Sequence, residues 1–365
     1  MAMRALGLMS GTSMDGIDLA MIETDGERIA AFGETSYRPY SDAERLVLRQ
    51  ALSAARGVTD RTERPDALRA AERVVNDAHA ALVLSFLSEH GMSAGDVDVI
   101  GFHGQTVFHA PERGMTVQLG DGDRLARETG IRVVYDLRAN DVAAGGEGAP
   151  LAPVFHKALA AGLPGPLGIL NLGGVANITW IGEGDEDLIA FDTGPANALI
   201  DDFVHTRTGA AMDVGGALAR SGAVNDALLA RWLQHPYFDR LAPKSLDRDD
   251  FTAPGVDALS TEEGAATLTA FTAATVAAGF KHLPRPPVRL IAVGGGAHNP
   301  VLLEMIAART GVSVTPAADI GWSGDFIEAQ AFAYMAVRAL DGRPITFPGT
   351  TGAPWPMSGG LIALP

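Results

Sequence analysis

The sequence near the N-terminus carries residue types that bind phosphate. Residues 10–16 read SGTSMDG and lie between two short apolar runs. Glycine allows backbone conformations in which consecutive N–H groups converge on an anion, and the hydroxyls of Thr12 and Ser13 add donors. Asp15 and Asp18 would repel a bare phosphate, so they favour a site in which Mg²⁺ lies between carboxylate and phosphates. The stretch therefore predicts a phosphate and metal site, with an ordinary polar hairpin turn as the alternative.

Asp192 is the second candidate for chemistry. It follows the apolar run 188–191 and begins the sequence DTGP, in which Gly194 is expected to leave room beside the carboxylate. A carboxylate near a triphosphate suits the role of general base, because the neighbouring negative charge favours proton uptake. Aspartate also caps helices well, so the alternative is a cap for the helix that follows.

Further polar side chains follow apolar runs that predict buried strands. Open α/β sheets place their ligands at such strand ends. His103 and Thr106 come after one run, Arg138 follows another, and Glu328 lies on a predicted helix. Taken singly, such residues are more often hydrogen-bonded core residues or members of surface ion pairs. They predict a ligand site only in combination.

A glycine-rich turn near the C-terminus, GGGAHN at residues 294–299, lies between a predicted strand and a predicted helix. It departs from the dinucleotide fingerprint G-x-G-x-x-G, because position 299 is Asn. The chain also contains no G-x-x-x-x-G-K-[ST] sequence, which excludes a P-loop. Glycine would let a flat adenine or ribose approach the backbone closely, and a tight strand-to-helix turn is the alternative.

The elements that position these residues have mixed strand and helix patterns, which predict an α/β fold. Capping boxes of Ser41 with Glu44 and of Ser260 with Glu263 begin two helices. The predicted strands cover residues 5–9, 17–22, 97–102, 115–119, 131–135, 188–191 and 288–293, and two more lie within 167–181. The predicted helices cover residues 41–57, 65–91, 121–129, 151–161, 195–208, 221–233, 260–282, 300–309 and 325–340. Residues 237–255 are predicted to form a loop.

A second glycine hairpin, LGILNLGGVANITWI at residues 167–181, repeats the opening pattern of strand, glycine turn and strand. A tandem repeat of one lobe-sized unit explains this recurrence, and two similar lobes imply a cleft between them. The aperiodic segment DVAAGGEGAP at residues 141–150 is predicted to be the first crossing between the lobes. The expected domains are residues 1–140, completed by 326–365, and residues 141–325.

Composition limits the partners and the cellular location. The 365 residues include 28 Lys and Arg against 44 Asp and Glu, a formal net charge of −16 that would repel nucleic acid. Cysteine is absent, so no disulfide or thiol nucleophile exists and nothing requires an oxidising compartment. The apolar stretches are too short for a signal peptide or a membrane span. We therefore expect a soluble, cytoplasmic protein that binds neither nucleic acid nor membrane.

Several motifs together resemble a known family. Two glycine hairpins, an Asp-Thr-Gly-Pro turn and a late glycine turn resemble the actin, Hsp70 and sugar kinase superfamily. More narrowly, the chain resembles the anhydro-N-acetylmuramic acid kinase family in motifs that extend from residue 7 to residue 333: GLMSGTSMDGIDLA, GFHGQTVFHAP, GGEGAPLAP, LNLGGVANIT, FDTGPANALID, GGGAHNP and EAQAFA. It departs from the family pattern at Glu147, where Gln is expected, and at Ala196, where Gly is expected.

The resemblance implies a duplicated, two-lobed actin-like ATPase fold of the ribonuclease H type, with ATP in the cleft between the lobes. It implies that ATP, water and 1,6-anhydro-N-acetylmuramic acid give N-acetylmuramic acid 6-phosphate and ADP, with Asp192 as the catalytic base. A homodimer is also expected. The residues expected to bind ATP are Gly11, Thr12, Ser13, Met14, Asp15, Gly16, Ile17, Asp18, Gly173, Gly174, Gly294, Gly295, Gly296 and Asn299. Asp15 is expected to hold Mg²⁺ through water, and His103, Thr106, Arg138 and Glu328 are expected to bind the sugar.

Two other functions remain open at the level of sequence. One is a related kinase for an anhydrosugar without the lactyl group, such as levoglucosan. The other is an actin- or Hsp70-like ATPase that drives conformational change or assembly without a sugar. The polar cluster at residues 103–106 favours a sugar kinase, because such an ATPase would not need it.

Overall fold

The computed structural model describes residues 1–184, 187–246 and 250–365. The strands are β1 (Met3–Ser10), β2 (Gly16–Thr24), β3 (Ile29–Pro39), β4 (Val99–Ala110), β5 (Met115–Leu119), β6 (Val133–Tyr135), β7 (Leu167–Leu172), β8 (Val175–Ile181), β9 (Leu188–Pro195), β10 (Arg289–Val293), β11 (Val314–Pro316) and β12 (Leu361–Ala363). The helices are α1 (Asp42–Ala55), α2 (Asp66–Glu89), α3 (Gly122–Thr129), α4 (Ala139–Ala143), α5 (Pro153–Leu159), α6 (Asn197–Thr208), α7 (Ala217–Ser221), α8 (Asp226–Trp232), α9 (Thr261–Gly279), α10 (Pro300–Thr310), α11 (Ile327–Leu340) and α12 (Pro348–Thr351).

The described residues form two compact units. Unit 1 comprises Met1–Ala161 and Phe326–Pro365, and unit 2 comprises Gly162–Asp325. The prediction placed the first boundary at residue 141, which is wrong. Helix α5 packs against α11 in unit 1, where the Phe155 and Tyr334 rings lie 5.6 Å apart, so the chain leaves unit 1 only after this helix.

Unit 1 is built on a sheet in the order β12-β6-β4-β1-β2-β3, with β5 paired to β4. Strands β1, β2 and β3 are antiparallel neighbours, whereas β1, β4 and β6 run parallel. Side chains of β1 and β4 such as Leu8 and Phe102 share a buried core with α1, α2 and α3. The alternate residues, including Gly7 and Gly101, face α11. Helices therefore cover both faces of this sheet.

Unit 2 repeats the same strand order with β11-β10-β7-β8-β9. Strands β7, β8 and β9 are antiparallel neighbours, and β10 and β11 extend the sheet from β7 in parallel. Its core packs the sheet against α9 and α10, and a second cluster joins α6, α8 and α9. This topology, present twice, is the ribonuclease H-like fold of actin-like ATPases. The predicted α/β fold and its duplication are confirmed, and the predicted ATP cleft between the lobes stays a prediction.

Local signals located most elements, and both predicted capping boxes are present on α1 and α9. The sequence did not predict β3, whose residues are mostly exposed and lack an apolar alternation. The predicted helix 221–233 is wrong, because α7 ends at Ser221 and the side chain of Asn225 caps α8 separately. The predicted loop 237–255 begins as a short 3-10 helix at Pro236–Asp239, and residues 247–249 of that prediction lie outside the described residues.

Two strands extend further towards the C-terminus than the sequence predicted. Strand β4 continues past Phe102 to Ala110, because a bend at Gly104 (φ 70°) turns the chain from pairing with β6 to pairing with β5. Strand β9 continues through Asp192 to Pro195, so α6 begins at Asn197 and not at Pro195. His103, Thr106 and Asp192 therefore lie on strands, where backbone pairing fixes their positions.

Within the described residues, no helix is both long enough and apolar enough to cross a lipid bilayer.

Buried histidines predict a marked loss of stability in acid. Burial lowers the pKa of His79 to about 4 and the pKa values of His103 and His156 to about 3. The unfolded chain, with a histidine pKa near 6.5, binds these protons more readily, so unfolding becomes easier as pH falls below about 6.5. Each histidine should remove about 2 kcal/mol of unfolding free energy by pH 5.

Urea denaturation at pH 7 and pH 5 measures this effect. His79→Leu should reduce the pH dependence, whereas replacement of the exposed His90 by Leu should leave it as it is. Equal stability of the unsubstituted chain at the two pH values would contradict the prediction.

Candidate active site

The first glycine turn, residues 11–15, joins β1 to β2. Its left-handed residue is Met14 (φ 56°), whereas Gly11 and Gly16 have no positive φ, which corrects the expected use of glycine. Gly16 instead packs closely, because a Cβ there would lie 2.5 Å from the ring of the half-exposed Tyr37. The N–H of Met14 donates to the Gly11 carbonyl at 3.2 Å, and the Met14 side chain is buried in the unit 1 core.

The tip of this turn presents polar groups to solvent. Thr12, Ser13 and Asp15 are exposed. The Ser13 hydroxyl donates to Asp15 Oδ1 at 2.8 Å, and the N–H of Gly16 donates to the same oxygen at 3.0 Å. Ile17 is fully buried and Asp18 is partly buried on β2. Of the residues predicted to cradle phosphate, the exposed tip supplies Thr12, Ser13 and Asp15, while the side chains of Met14 and Ile17 belong to the core.

A buried polar network, missed by the sequence analysis, holds this turn. Ser10 Oγ donates to Gln105 Oε1 at 2.6 Å and lies 3.2 Å from the Tyr40 hydroxyl. Gln105 Nε2 in turn donates to the Gly11 carbonyl at 3.0 Å. Burial raises the pKa of Tyr40 to about 12, so the phenol stays protonated. The network ties β4 to the start of the turn, and its signal in the sequence was the glutamine within HGQT.

His103 lies next to Arg138 and orients its guanidinium. The Nδ1–H of His103 donates to the Ser10 carbonyl at 3.0 Å, so Nε2 can accept from Arg138 Nη2 at 3.2 Å. Arg138 Nη1 donates to the Gly148 carbonyl at 2.8 Å. Burial, with Arg138 as a second cause, lowers the pKa of His103 to about 3, so the imidazole is neutral at pH 7. Both ring nitrogens are engaged within unit 1, and Arg138 is the charged member of the pair.

Glu328 and Thr106 have different surroundings. Glu328 reaches solvent in the first turn of α11. Although part of Glu328 is exposed, desolvation of its carboxyl group raises the pKa of Glu328, and the positive charge of Arg138 acts in the opposite direction. Thr106 Oγ1 accepts a hydrogen bond from Gln118 Nε2 at 3.2 Å on the β4–β5 hairpin. In unit 1, Arg138 thus interacts with His103 through a hydrogen bond and with Glu328 through its charge, whereas the Thr106 hydroxyl contacts the neighbouring strand.

Asp141, also missed from sequence, holds the loop that supplies the Gly148 carbonyl. Its Oδ2 accepts the Gly148 N–H and its Oδ1 accepts the Thr351 hydroxyl, both at 2.6 Å. The N–H of Glu147 donates to the Thr351 carbonyl at 2.6 Å, a backbone contact that Gln at this position would also make. The loop is therefore fixed to α12 whichever of the two residues is present.

In unit 2, Asp192 lies on the edge strand β9 opposite Asn177. The register of β8 and β9 shifts beside it, leaving Thr193 as the extra residue of a β-bulge. The sequence led us to expect that Gly194 leaves room beside the carboxylate, and the structure gives this glycine a different function. A Cβ there would lie 2.6 Å from Thr275 Cβ, so α9 requires the glycine.

Hydrogen bonds to three of the described residues hold Asp192. Its N–H donates to the Lys244 carbonyl at 3.0 Å, and its own carbonyl accepts the Tyr237 hydroxyl at 2.5 Å. The carboxylate Oδ2 accepts the N–H of Leu246 at 2.8 Å. All three partners come from the segment 237–246, to which the sequence analysis assigned no function.

The hairpin glycines of unit 2 lie against the start of α6. The carbonyl of Gly173 accepts the N–H of Asn197 at 3.0 Å, and that of Gly174 accepts the N–H of Ala198 at 3.3 Å. Ala196 is fully buried at the N-cap of α6 (φ −130°, ψ −120°), the position at which the family pattern leads one to expect glycine. The carbonyl groups of this turn are thus hydrogen-bonded to the first residues of α6.

The late glycine turn packs on the end of β7. Gly294 has φ 77°, and a Cβ on Gly296 would lie 2.6 Å from Leu172 Cβ. Gly295 is exposed and lies beside Asn197, with 3.5 Å between the position of its missing Cβ and Nδ2. Asn299 caps α10, since its Oδ1 accepts the Leu302 N–H at 3.1 Å. Both glycine turns of unit 2 therefore meet at Asn197, and each has an exposed glycine, Gly174 in the hairpin turn and Gly295 in the late turn.

The donor set for a metal is small. The described residues contain no cluster of three or more His, Cys, Asp or Glu that could hold an ion. Mg²⁺ commonly uses one or two carboxylates and completes its shell with water and phosphate oxygens. Asp15 fits that pattern, because it is an exposed carboxylate at a turn with neighbouring hydroxyls.

Comparison with known proteins identifies the family. The family model described as anhydro-N-acetylmuramic acid kinase matches residues 3–364. A protein of that name from Methylobacterium nodulans is 55% identical over 375 residues, covering 100% of both chains. One from Rhizorhabdus wittichii is 54% identical over 367 residues, covering 100% of this chain and 99% of the relative. One from Rhodopseudomonas palustris is 52% identical over 366 residues, with full coverage of both. With the duplicated fold, these matches show that the chain belongs to the anhydro-N-acetylmuramic acid kinase family.

Proposed function

We propose that Asp192 is the general base of this kinase and that the first glycine turn binds the phosphates of ATP. The reaction is that of the family: ATP-dependent hydrolytic opening of 1,6-anhydro-N-acetylmuramic acid with phosphorylation of O6, which gives N-acetylmuramic acid 6-phosphate and ADP. The match over residues 3–364 carries this assignment of the reaction.

The reaction requires a base next to the water molecule that attacks C1 of the sugar. Asp192 takes a proton as the water oxygen bonds to C1 of the sugar and the C1–O6 bond breaks. O6 then bonds to the γ-phosphorus, and the bond between that phosphorus and the ADP oxygen breaks. A base contributes most when it is held in one orientation, and the hydrogen bond from the Leu246 N–H to Oδ2 supports this role.

Unit 1 supplies the groups proposed to bind the sugar. Arg138 binds the lactyl carboxylate, for which a guanidinium is a geometrically suitable partner. His103 orients Arg138 through Nε2, so its contribution to sugar binding is through that arginine. Glu328 and Thr106 are proposed to accept or donate hydrogen bonds to sugar hydroxyls. A neutral imidazole suits this role, because its Nε2 can accept a hydrogen bond from the charged arginine.

The nucleotide-binding residues are proposed from both units. The exposed tip Thr12, Ser13 and Asp15 meets the phosphates, and the glycine turns around Gly295 meet the adenosine. Asp15 would hold Mg²⁺ through water. When bound, the ion would offset the charge that spreads over the transferred phosphoryl group.

We also propose a cytoplasmic homodimer that does not bind nucleic acid. The absence of cysteine is compatible with a reducing compartment, and the net charge of −16 opposes binding to a phosphate backbone. The dimer is proposed from the family resemblance alone.

ADP release measured with and without sugar tests the proposed reaction. We expect ADP formation with 1,6-anhydro-N-acetylmuramic acid, little with levoglucosan and little without a sugar. In ¹⁸O-labelled water, the label should enter the C1 hydroxyl and not the phosphate. Label on phosphate would indicate plain ATP hydrolysis, and equal rates with levoglucosan would contradict a role for the lactyl group.

A further inference from the structure

The segment that holds Asp192 has an unusual anchor, the buried side chain of Lys244. Only 4% of this residue is exposed. Its Nζ donates to the Tyr237 carbonyl at 3.1 Å and lies 3.4 Å from His282 Nε2. The ammonium also lies 4.4 Å from the centroid of the Tyr237 ring and 6.0 Å from that of Phe191, within the range of cation–π attraction.

The hydrogen bonds of Lys244, Tyr237 and Asp192 form a closed cycle. Lys244 Nζ donates to the Tyr237 carbonyl, the Tyr237 hydroxyl donates to the Asp192 carbonyl, and the Asp192 N–H donates to the Lys244 carbonyl. Two residues beyond Lys244, the Leu246 N–H donates to the Asp192 carboxylate. The lysine therefore fixes the backbone that delivers this donor.

We propose that Lys244 is a positioning residue, which holds the segment 244–246 against β9 and so orients the Asp192 carboxylate for proton transfer. The inference rests on the proposed function of Asp192. A hydrophobic residue at 244 could fill the same space but could not donate to the Tyr237 carbonyl, and the cycle would open.

The charges around this site determine its state at neutral pH. Burial, together with the charges of Lys281 and Arg240, lowers the pKa of Lys244 to about 8, and Asp239 acts in the opposite direction. Burial, followed by the charge of Asp192, raises the pKa of Tyr237. At pH 7 the lysine is therefore mostly protonated and the phenol is a proton donor. Above about pH 8 the lysine loses its charge.

Lys244→Met tests the proposal, with Lys281→Met as the matched control. Lys281 is an exposed lysine of the same region, paired to Asp239 at 3.1 Å. We expect Lys244→Met to lower kcat about 10- to 100-fold with an unchanged KM for ATP, because the base is displaced while the nucleotide contacts remain. The acidic limb of the kcat profile should move to higher pH, since a carboxylate that loses an N–H donor binds its proton more tightly. Lys281→Met should change neither quantity.

Tyr237→Phe provides a second test if the lysine variant fails to fold, because it removes only the hydroxyl that donates to Asp192. Hydrogen exchange at the Leu246 amide, followed by NMR, reports the position of the segment without reference to catalysis. It should accelerate in Tyr237→Phe and in folded Lys244→Met, but not in Lys281→Met. Unchanged exchange together with an unchanged acidic limb would overturn the proposal. If Leu246 exchanges faster in these two variants but Asp192→Asn keeps full activity, Lys244 would still position the segment and Asp192 would not be the base.

Discussion

Asp192→Asn is expected to lower kcat by about 10²- to 10⁴-fold, the usual contribution of a general base, while ATP binds with nearly unchanged affinity. Asparagine has the same shape, and its Oδ1 can still accept the Leu246 N–H that now donates to Oδ2 at 2.8 Å. The backbone bonds to Lys244 and Tyr237 also remain. The amide cannot take a proton from water, so the substitution removes proton transfer while these hydrogen bonds are retained. Sugar-dependent ADP release measures kcat, and calorimetry measures ATP affinity.

Asp226→Asn is the matched control for this experiment. Asp226 is exposed in the first turn of α8, in the same unit as Asp192, and its replacement removes the same charge. Its kcat should equal that of the unsubstituted chain. A near-normal rate in Asp192→Asn would remove Asp192 from the mechanism, and loss of ATP binding in that variant would indicate a structural role instead.

Candidate residues could be selected from the sequence where one short motif contains them. DTGP drew attention to Asp192, and the polar residues after apolar runs indicated His103 and Arg138. The groups that orient these residues were not predictable in the same way. Tyr237 and Leu246 bond to Asp192 from 45 and 54 positions away, in a segment with no periodicity. A local pattern cannot report a hydrogen bond that only the folded chain creates.

The fold shows the same division between local and long-range causes. Capping boxes act within four residues, so α1 and α9 were predicted at their observed starts. Strand β3 was missed because an edge strand that faces solvent needs no apolar alternation. Glycines were recognised, but their purposes were misjudged. Gly16 and Gly194 serve close packing with Tyr37 and Thr275, and the left-handed position in the first turn belongs to a methionine.

Gly7→Ala is expected to destabilise the fold by about 4 kcal/mol or more, because its Cβ would meet backbone on a packed helix. An added Cβ would lie 1.7 Å from the Ala329 carbonyl oxygen and 2.7 Å from the Ala333 nitrogen. Gly101, directly opposite on β4, is equally confined, since its Cβ would lie 2.0 Å from the Phe332 carbonyl oxygen. The paired glycines leave a flat surface that lets α11 approach the sheet closely. A glycine in the middle of a strand often marks such a close approach.

Gly57→Ala is the matched control, because its Cβ would lie 3.7 Å from the nearest atom and its φ is not positive. We expect Gly57→Ala to retain the unfolding midpoint and soluble yield of the unsubstituted chain, while Gly7→Ala loses soluble protein or shows a much lower midpoint in urea. A Gly7→Ala protein of normal midpoint would show that α11 can move outward at little cost. Such movement would shift Glu328 at the start of α11, so a folded variant should also bind the sugar less tightly. With Glu328 in its proposed role, stability and substrate binding would depend on the same close contact between helix and sheet.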